Sequence, residues 1–263
     1  MSLKKIGLAA LLSLAFALPA AAQTKTTLKI GVTPGPHSEV LAIVKPIMEK
    51  AGIELKQFDF TDYIVPNEAL ASGDLDINSF QHQPFLDKQV ADRGYKIESV
   101  AKTLVFPMGI YSKKHKSWDQ VPDGSTIAIQ NDPTNGGRAL LLLQSRGAIK
   151  LKEGSGLVPT VLDIVENPKK LKFIEIEAAQ TIRTLEDVDA ASVNTDFIVS
   201  DGGNPKRDAI LLEGADGPYA NILVVRSADK DKPWVKTLIE AYHSPEVKKF
   251  VEEKYKGAVL TAW

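Results

Sequence analysis

Two short stretches and three isolated side chains have residue types that could recognise a small molecule. From Asp74 to Asp87 the chain reads D-L-D-I-N-S-F-Q-H-Q-P-F-L-D, interleaving Phe80, His82 and Phe85 with the amides Asn78, Gln81 and Gln83. A buried strand would spend these positions on Val, Ile and Leu, and a solvated loop rarely carries two Phe. Aromatic faces suit an apolar or thioether group, at a modest ~0.3–1.5 kcal/mol for a sulfur–ring contact; a packed core cluster is the plainer alternative. Residues 130–138, Q-N-D-P-T-N-G-G-R, have the form of a strand end followed by a helix, with Asp132 as cap and Pro133 in the first turn. Free backbone N–H groups and the positive end of the helix dipole would face the strand ends. Arg138, about one turn in, could grip a carboxylate through two parallel hydrogen bonds; an ordinary capped helix with a solvated Arg is the alternative. Asn194 and Asn221 flank apolar strand-like segments, where buried amides need partners unless they cap turns. Tyr63 offers a ring and a hydroxyl.

Other chemistries find less support. His82 could ligate a metal, but the four His are widely spaced, Cys is absent and no H-E-x-x-H occurs, so no metal is expected. The sequence holds no G-x-S-x-G, Walker A or G-x-G-x-x-G motif, so neither catalysis nor a cofactor is expected. An enzyme using His82 and an acid is the minor alternative.

Stepping outward from these residues, the chain alternates strand-like and helix-like segments. Residues 27–33 read as a strand, 37–51 as a helix with Pro46 inside its apolar stripe, and 53–58 as a second strand, the opening of a parallel βαβ unit. Pro46 should kink that helix or cost it a hydrogen bond. A short helix at 66–73, a short strand at 75–77 and a helix at 83–93 follow. The β-rich run 97–112 reads as a strand passing from one lobe to another. A second set comprises strands at 126–130, 171–176, 190–193 and 210–212, with helices at 133–146 and 181–188. Residues 221–226 read as a strand returning to the first lobe, and amphipathic helices cover 234–242 and 245–255. The pattern implies two α/β lobes, 23–107 with 226–263 and 108–225. Ligands in such sheets bind beyond the carboxyl ends of the strands.

Composition narrows the setting. Met1-Ser-Leu-Lys-Lys precedes an uncharged run, 6–18, and then Pro19-Ala-Ala-Ala22. This is the form of a secretory signal peptide, 1–22, cleaved after Ala22, and it is too short for a membrane span. Its removal takes the 32 basic residues to 30 against 33 acidic ones, too mild a balance to suggest nucleic acid or an anionic membrane. Without Cys the chain can form no disulfide and carry no lipid on an N-terminal Cys. A soluble periplasmic protein is expected.

The strings D-Y-I-V-P-N-E-A-L, F-Q-H-Q-P-F-L-D, N-D-P-T-N-G-G-R-A-L-L-L-L-Q, P-T-V-L-D-I-V-E-N-P-K, S-V-N-T-D-F and P-Y-A-N-I-L resemble the methionine-binding proteins of bacterial ABC importers, the MetQ/NlpA lipoprotein family. The resemblance runs from about Leu28 to Trp263. It implies a two-lobed periplasmic binding protein fold (type II) with the ligand cleft between the lobes. By resemblance, Arg138 holds the ligand carboxylate, while Tyr63, Phe80 and His82 enclose a methionine side chain. Asn135, Asn194 and Asn221 take the α-amino and carboxylate groups, and Asn78, Gln81 and Gln83 set the mouth of the sleeve. Phe85 stands where many relatives have Tyr, so a hydroxyl contact is lost; the lipid-bearing Cys of the family is absent too. The implied ligand is L-methionine, with D-methionine, another amino acid or a methionine-containing dipeptide as alternatives. The implied partner is a membrane permease and ATPase complex. Burying a Met side chain gives roughly 1.5–3 kcal/mol, against about 8 kcal/mol for micromolar binding. The charged end must supply much of the difference, and with no evident Asp or Glu, amide and backbone carbonyls would receive the ammonium.

Overall fold

The computed structural model describes residues 26–263; the expected leader lies outside the described residues. In chain order the strands of the two main sheets are β1 (Thr26–Val32), β2 (Ile53–Asp59), β3 (Ile77–Ser79), β4 (Ile97–Lys102), β5 (Gly109–Tyr111), β6 (Thr126–Gln130), β7 (Lys172–Ile176), β8 (Ala190–Val193), β9 (Leu211–Leu212) and β10 (Ile222–Arg226). The main helices are α1 (Pro36–Lys50), α2 (Val65–Ser72), α3 (Gln83–Arg93), α4 (Pro133–Ser145), α5 (Thr195–Ser200), α6 (Pro233–Tyr242) and α7 (Pro245–Tyr255).

Each lobe holds one five-stranded sheet, in the orders β2-β1-β3-β10-β4 and β7-β6-β8-β5-β9. The plan is the same in both. Three neighbouring strands run parallel, and the fourth is antiparallel to both of its neighbours. That fourth strand is always the one arriving from the other lobe, β10 in the first and β5 in the second. The parallel strands therefore all end toward the gap between the lobes, where the segments after β1, β3, β6 and β8 carry Thr33, Phe80, Asn131 and Asn194.

Apolar stripes decide the layers. On α1, Val40, Leu41, Val44 and Met48 are buried against β1 and against Val235, Leu238, Val247 and Val251 of α6 and α7. The other face of the first sheet packs Leu70 of α2 and Leu86 of α3 on Ile97, Ile222 and Val224. In the second lobe, Leu140 and Leu143 of α4 cover Ile127 and Ile129, while Ala128, Ala191 and Val193 face Leu185, Val188 and Ile198. Helix α1 runs through Pro46 without interruption. Among the described residues, no helix is long and apolar enough to cross a membrane.

Four local expectations shift. The third strand is 77–79 rather than 75–77: Asp76 is bound to the backbone of Lys29 (2.8 Å each way), and fully buried Asn78 and Ser79 complete the strand. The run 97–112 is broken at Pro107, and Leu104–Val105 pairs with Leu260–Thr261 near the chain end. The helix at 181–188 is only Thr181–Thr184. The chain also rejoins the first lobe before 226, because all of β10, from Ile222, pairs in the first sheet.

Candidate functional site

Tyr63, Phe80, His82, Phe85, Asn135, Arg138, Asn194 and Asn221 line one cavity between the lobes, with about 380 Å³ of free space, part of it open to solvent. Tyr63, Phe80, His82, Phe85 and Asn221 come from the first lobe and its return crossing; Asn135, Arg138 and Asn194 come from the second.

The aromatic wall belongs to the first lobe. Phe80 and Phe85 meet edge to face with ring centroids 6.1 Å apart, and Tyr63 lies 5.9 Å from Phe80 and 6.3 Å from Phe85. Phe197 of α5 closes on Tyr63 at 5.3 Å from the opposite lobe. Behind this wall, Asn67, Asn78 and Gln81 bond one another at 2.6–3.0 Å. Of the amides expected at the mouth, Gln81 lines the cavity, whereas Asn78 is buried in this network and Gln83 pairs with Asp87 on the surface. The network satisfies the Asn78 amide of β3, so these amides brace the Phe80–His82 segment.

His82 caps α3. Its Nδ1 accepts from the Phe85 N–H at 3.2 Å, so the ring proton sits on Nε2, which donates across the cleft to Asn135 Oδ1 at 3.2 Å. Burial, then the nearby Arg138 charge, lowers its pKa to about 3, and it is neutral at physiological pH. His37, at the start of α1, lies tilted against Phe106 with ring centroids 4.9 Å apart, and burial lowers its pKa to about 4.

On α4 the expected free N–H groups are absent. Asp132 accepts from the N–H groups of Thr134 and Asn135 at 3.2 and 2.9 Å, which leaves the helix start capped rather than open to an anion. Asp132 also orients the Asn135 amide. Asn135 Oδ1 then accepts from Asn194 Nδ2 (2.9 Å), and Asn194 Oδ1 accepts from Gln130 (2.8 Å). Gly136 lets this turn sit on the end of β6: a Cβ there would lie 2.4 Å from the Gln130 carbonyl oxygen.

Arg138 is 2% exposed, which excludes a solvated role. Its Nε and Nη2 donate to the Glu213 carboxylate at 2.5–3.2 Å, Nη2 also reaches the Phe106 carbonyl at 2.8 Å, and the Tyr219 ring lies 4.1 Å from the guanidinium carbon. The two-bond fork expected for a ligand is thus spent on Glu213. Among the described residues no protein acceptor takes Nη1. Phe106 and Glu213 sit on the two crossings between the lobes, so both connections hold this guanidinium.

An acid does line the cavity. Asp196, in the first turn of α5, is 5% exposed. It accepts from the Tyr63 hydroxyl at 2.7 and 2.8 Å and, at 3.5 Å, from the Thr33 hydroxyl. Burial raises its pKa to about 6 against the opposing effect of these donors. Sequence reasoning passed over Asp196, although it sits inside S-V-N-T-D-F, and also over Glu213, His37 and Phe106. The partners of these residues are far away in the chain, and no local pattern marks them. Among the described residues, no cluster of His, Asp and Glu could hold a metal.

Residues 28–263 match the family model described as NlpA lipoprotein. The chain is 47% identical over 239 residues to the D-methionine-binding lipoprotein MetQ of Salmonella typhimurium, covering 90% of this chain and 88% of that protein. It is similar to a nutrient binding protein from Burkholderia cenocepacia solved bound to methionine, with TM-score 0.88 and 52% identity over 90% of this chain and 100% of that one. It is also similar to an ABC transporter, periplasmic substrate-binding protein from Coxiella burnetii, with TM-score 0.85 and 43% identity over 89% and 100% of the two chains. The two-lobed architecture is shared with these structures.

Proposed function

The chain belongs to the NlpA lipoprotein family, and on that premise we propose that it is a periplasmic receptor that encloses methionine between its lobes and delivers it to a membrane ABC importer. The observation that carries this reading is a single cavity with an aromatic wall on one lobe and a buried guanidinium on the other. Tyr63, Phe80, Phe85 and His82 form an apolar sleeve suited to an unbranched thioether. Arg138 presents Nη1 to a carboxylate, end-on rather than as a fork. The amides of Asn194 and Asn221 supply donors and acceptors around the charged end, whereas Asn135 is occupied with His82, Asn194 and Asp132. Closure is a hinge motion about the crossings at 103–108 and 213–221, and the closed form docks on the permease and its ATPase. No group is assigned to bond making or breaking.

Calorimetry on protein unfolded and refolded to shed carried ligand tests this. Saturable binding of L-methionine is expected, and Arg138→Ala should weaken it roughly tenfold or more, about 1.4 kcal/mol. Absence of binding by L- and D-methionine alike, or an Arg138→Ala variant with unchanged affinity, contradicts the reading. Mass spectrometry of the ligand released on denaturation separates methionine from other amino acids and from dipeptides.

A further inference from the structure

We propose that Asp196 receives the ligand's α-ammonium and so makes the cavity selective for amino acids over otherwise identical acids that lack the amine. The inference rests on the methionine reading above and adds a specificity-determining residue to it.

The charge balance of the cavity leads there. Arg138 is positive, but Glu213 answers it through Nε and Nη2. His82 and His37 are neutral. That leaves Asp196, whose donors are uncharged: the Tyr63 phenol, the Phe197 backbone N–H and the Thr33 hydroxyl. Among the described residues no basic side chain pairs with it. A buried carboxylate without a cation is costly, and the cost is relieved by a positive partner. The cavity therefore carries one unanswered negative charge on the wall formed by α5, together with a partly neutralised guanidinium on α4. A zwitterion matches both. A bare carboxylate meets repulsion from Asp196 that a nearly neutral Arg138–Glu213 pair does little to offset.

The position of Asp196 supports the assignment. It sits immediately after Asn194 and Thr195, which line the same cavity, and Tyr63 links it to the aromatic wall. The ammonium of an amino acid whose carboxylate is at Arg138 and whose side chain lies among Phe80 and Phe85 is then held from the α5 side.

The test compares L-methionine with 4-(methylthio)butanoate, the same molecule without its amine, on refolded protein. Wild type should prefer L-methionine by roughly a hundredfold, given that charge-assisted hydrogen bonds are each worth a few kcal/mol. Asp196→Asn should shrink that preference by about tenfold or more, weakening L-methionine while leaving or strengthening the desamino acid. A merely structural role would weaken both ligands alike, and that result, like an unchanged preference, overturns the proposal. Wild type that binds both ligands equally also overturns it, so an Asp196→Asn chain that fails to refold does not remove the test. Wild type that binds the desamino acid tightly and L-methionine weakly sinks the ammonium role while keeping the thioether sleeve. Wild type that binds neither sinks the methionine reading and this inference with it.

Discussion

His82 shows how one side chain can be fixed by its surroundings. Capping α3 uses Nδ1 as an acceptor, and this forces the proton onto Nε2, the atom that crosses to Asn135. A neutral His82 also spares the cavity a charge beside Arg138. The sign of the pH response follows. His37 and His82 titrate at about 4 and about 3 when folded, against 6.5 when unfolded, so their contribution to stability is present above pH 6.5 and lost as pH falls through the folded values. Asp196 runs the other way: raised from 3.8 to about 6, it contributes below pH 3.8 and loses that contribution as pH rises through 6. Two histidines outweigh one acid. Between pH 6.5 and 4 we expect a net loss on the order of a few kcal/mol, read as a falling thermal midpoint, and steeper in Asp196→Asn. A midpoint that holds or rises over this range would mean that the histidines are charged in the fold. At this scale the sequence was legible where chemistry concentrates in a short string, as in F-Q-H-Q-P-F or N-D-P-T-N-G-G-R. It was not legible for Glu213, which lies 75 positions from Arg138, or for the bond from Tyr63 to Asp196, 133 positions apart.

Helix α4 positions Asn135 and Arg138, and its first turn depends on close approach to β6. Gly136→Ala would push a Cβ against the Gln130 carbonyl oxygen, whose backbone cannot yield cheaply. We expect a loss of ~1–3 kcal/mol in denaturant unfolding, the usual range for overpacking, together with weaker methionine binding, because Asn135 and Arg138 move with the turn. Unaltered stability would show that α4 can shift freely, contrary to its packing through Leu140 and Leu143. Elements with one clear period were legible from sequence: α3 and β6 fall where their patterns and caps put them. β3 was displaced by two residues because its strand is finished by Asn78 and Ser79, whose burial is made possible by the distant amide of Asn67. The run 97–112 looked continuous because apolar content does not reveal that Leu104 and Val105 leave the first sheet to pair with Leu260 and Thr261.

Across the molecule, the lobes touch around the cavity through a few polar contacts, Tyr63 and Thr33 with Asp196, His82 with Asn135, and Ser200 with the Pro34 carbonyl at 3.3 Å, and through Phe197 on Tyr63 and Val199 on the first-lobe core. Gly35, at φ 79°, lets that loop approach Ser200, where a Cβ would lie 2.2 Å from the hydroxyl. Contacts this few hold a closed form only weakly when no ligand fills the cavity, so ligand-free protein should open. Adding methionine at a hundred times its dissociation constant should stabilise the fold by about 2.7 kcal/mol and reduce the radius of gyration in X-ray scattering; a raised melting point with no compaction would mean binding without closure. The sequence revealed the alternation of two lobes, but not that both sheets follow one plan, since that likeness lies in strand order rather than in residue types. The threading of that plan has a consequence for the order in which the protein can be made. The second lobe is a single uninterrupted stretch, from β5 to β9, whereas the first lacks β10, α6 and α7 until the last part of the chain exists. During synthesis the N-terminal half therefore waits, with β3 and β4 lacking the strand between them, while the later half already has all its pieces. A chain built this way stays unfinished at its leading end until its trailing end has been released.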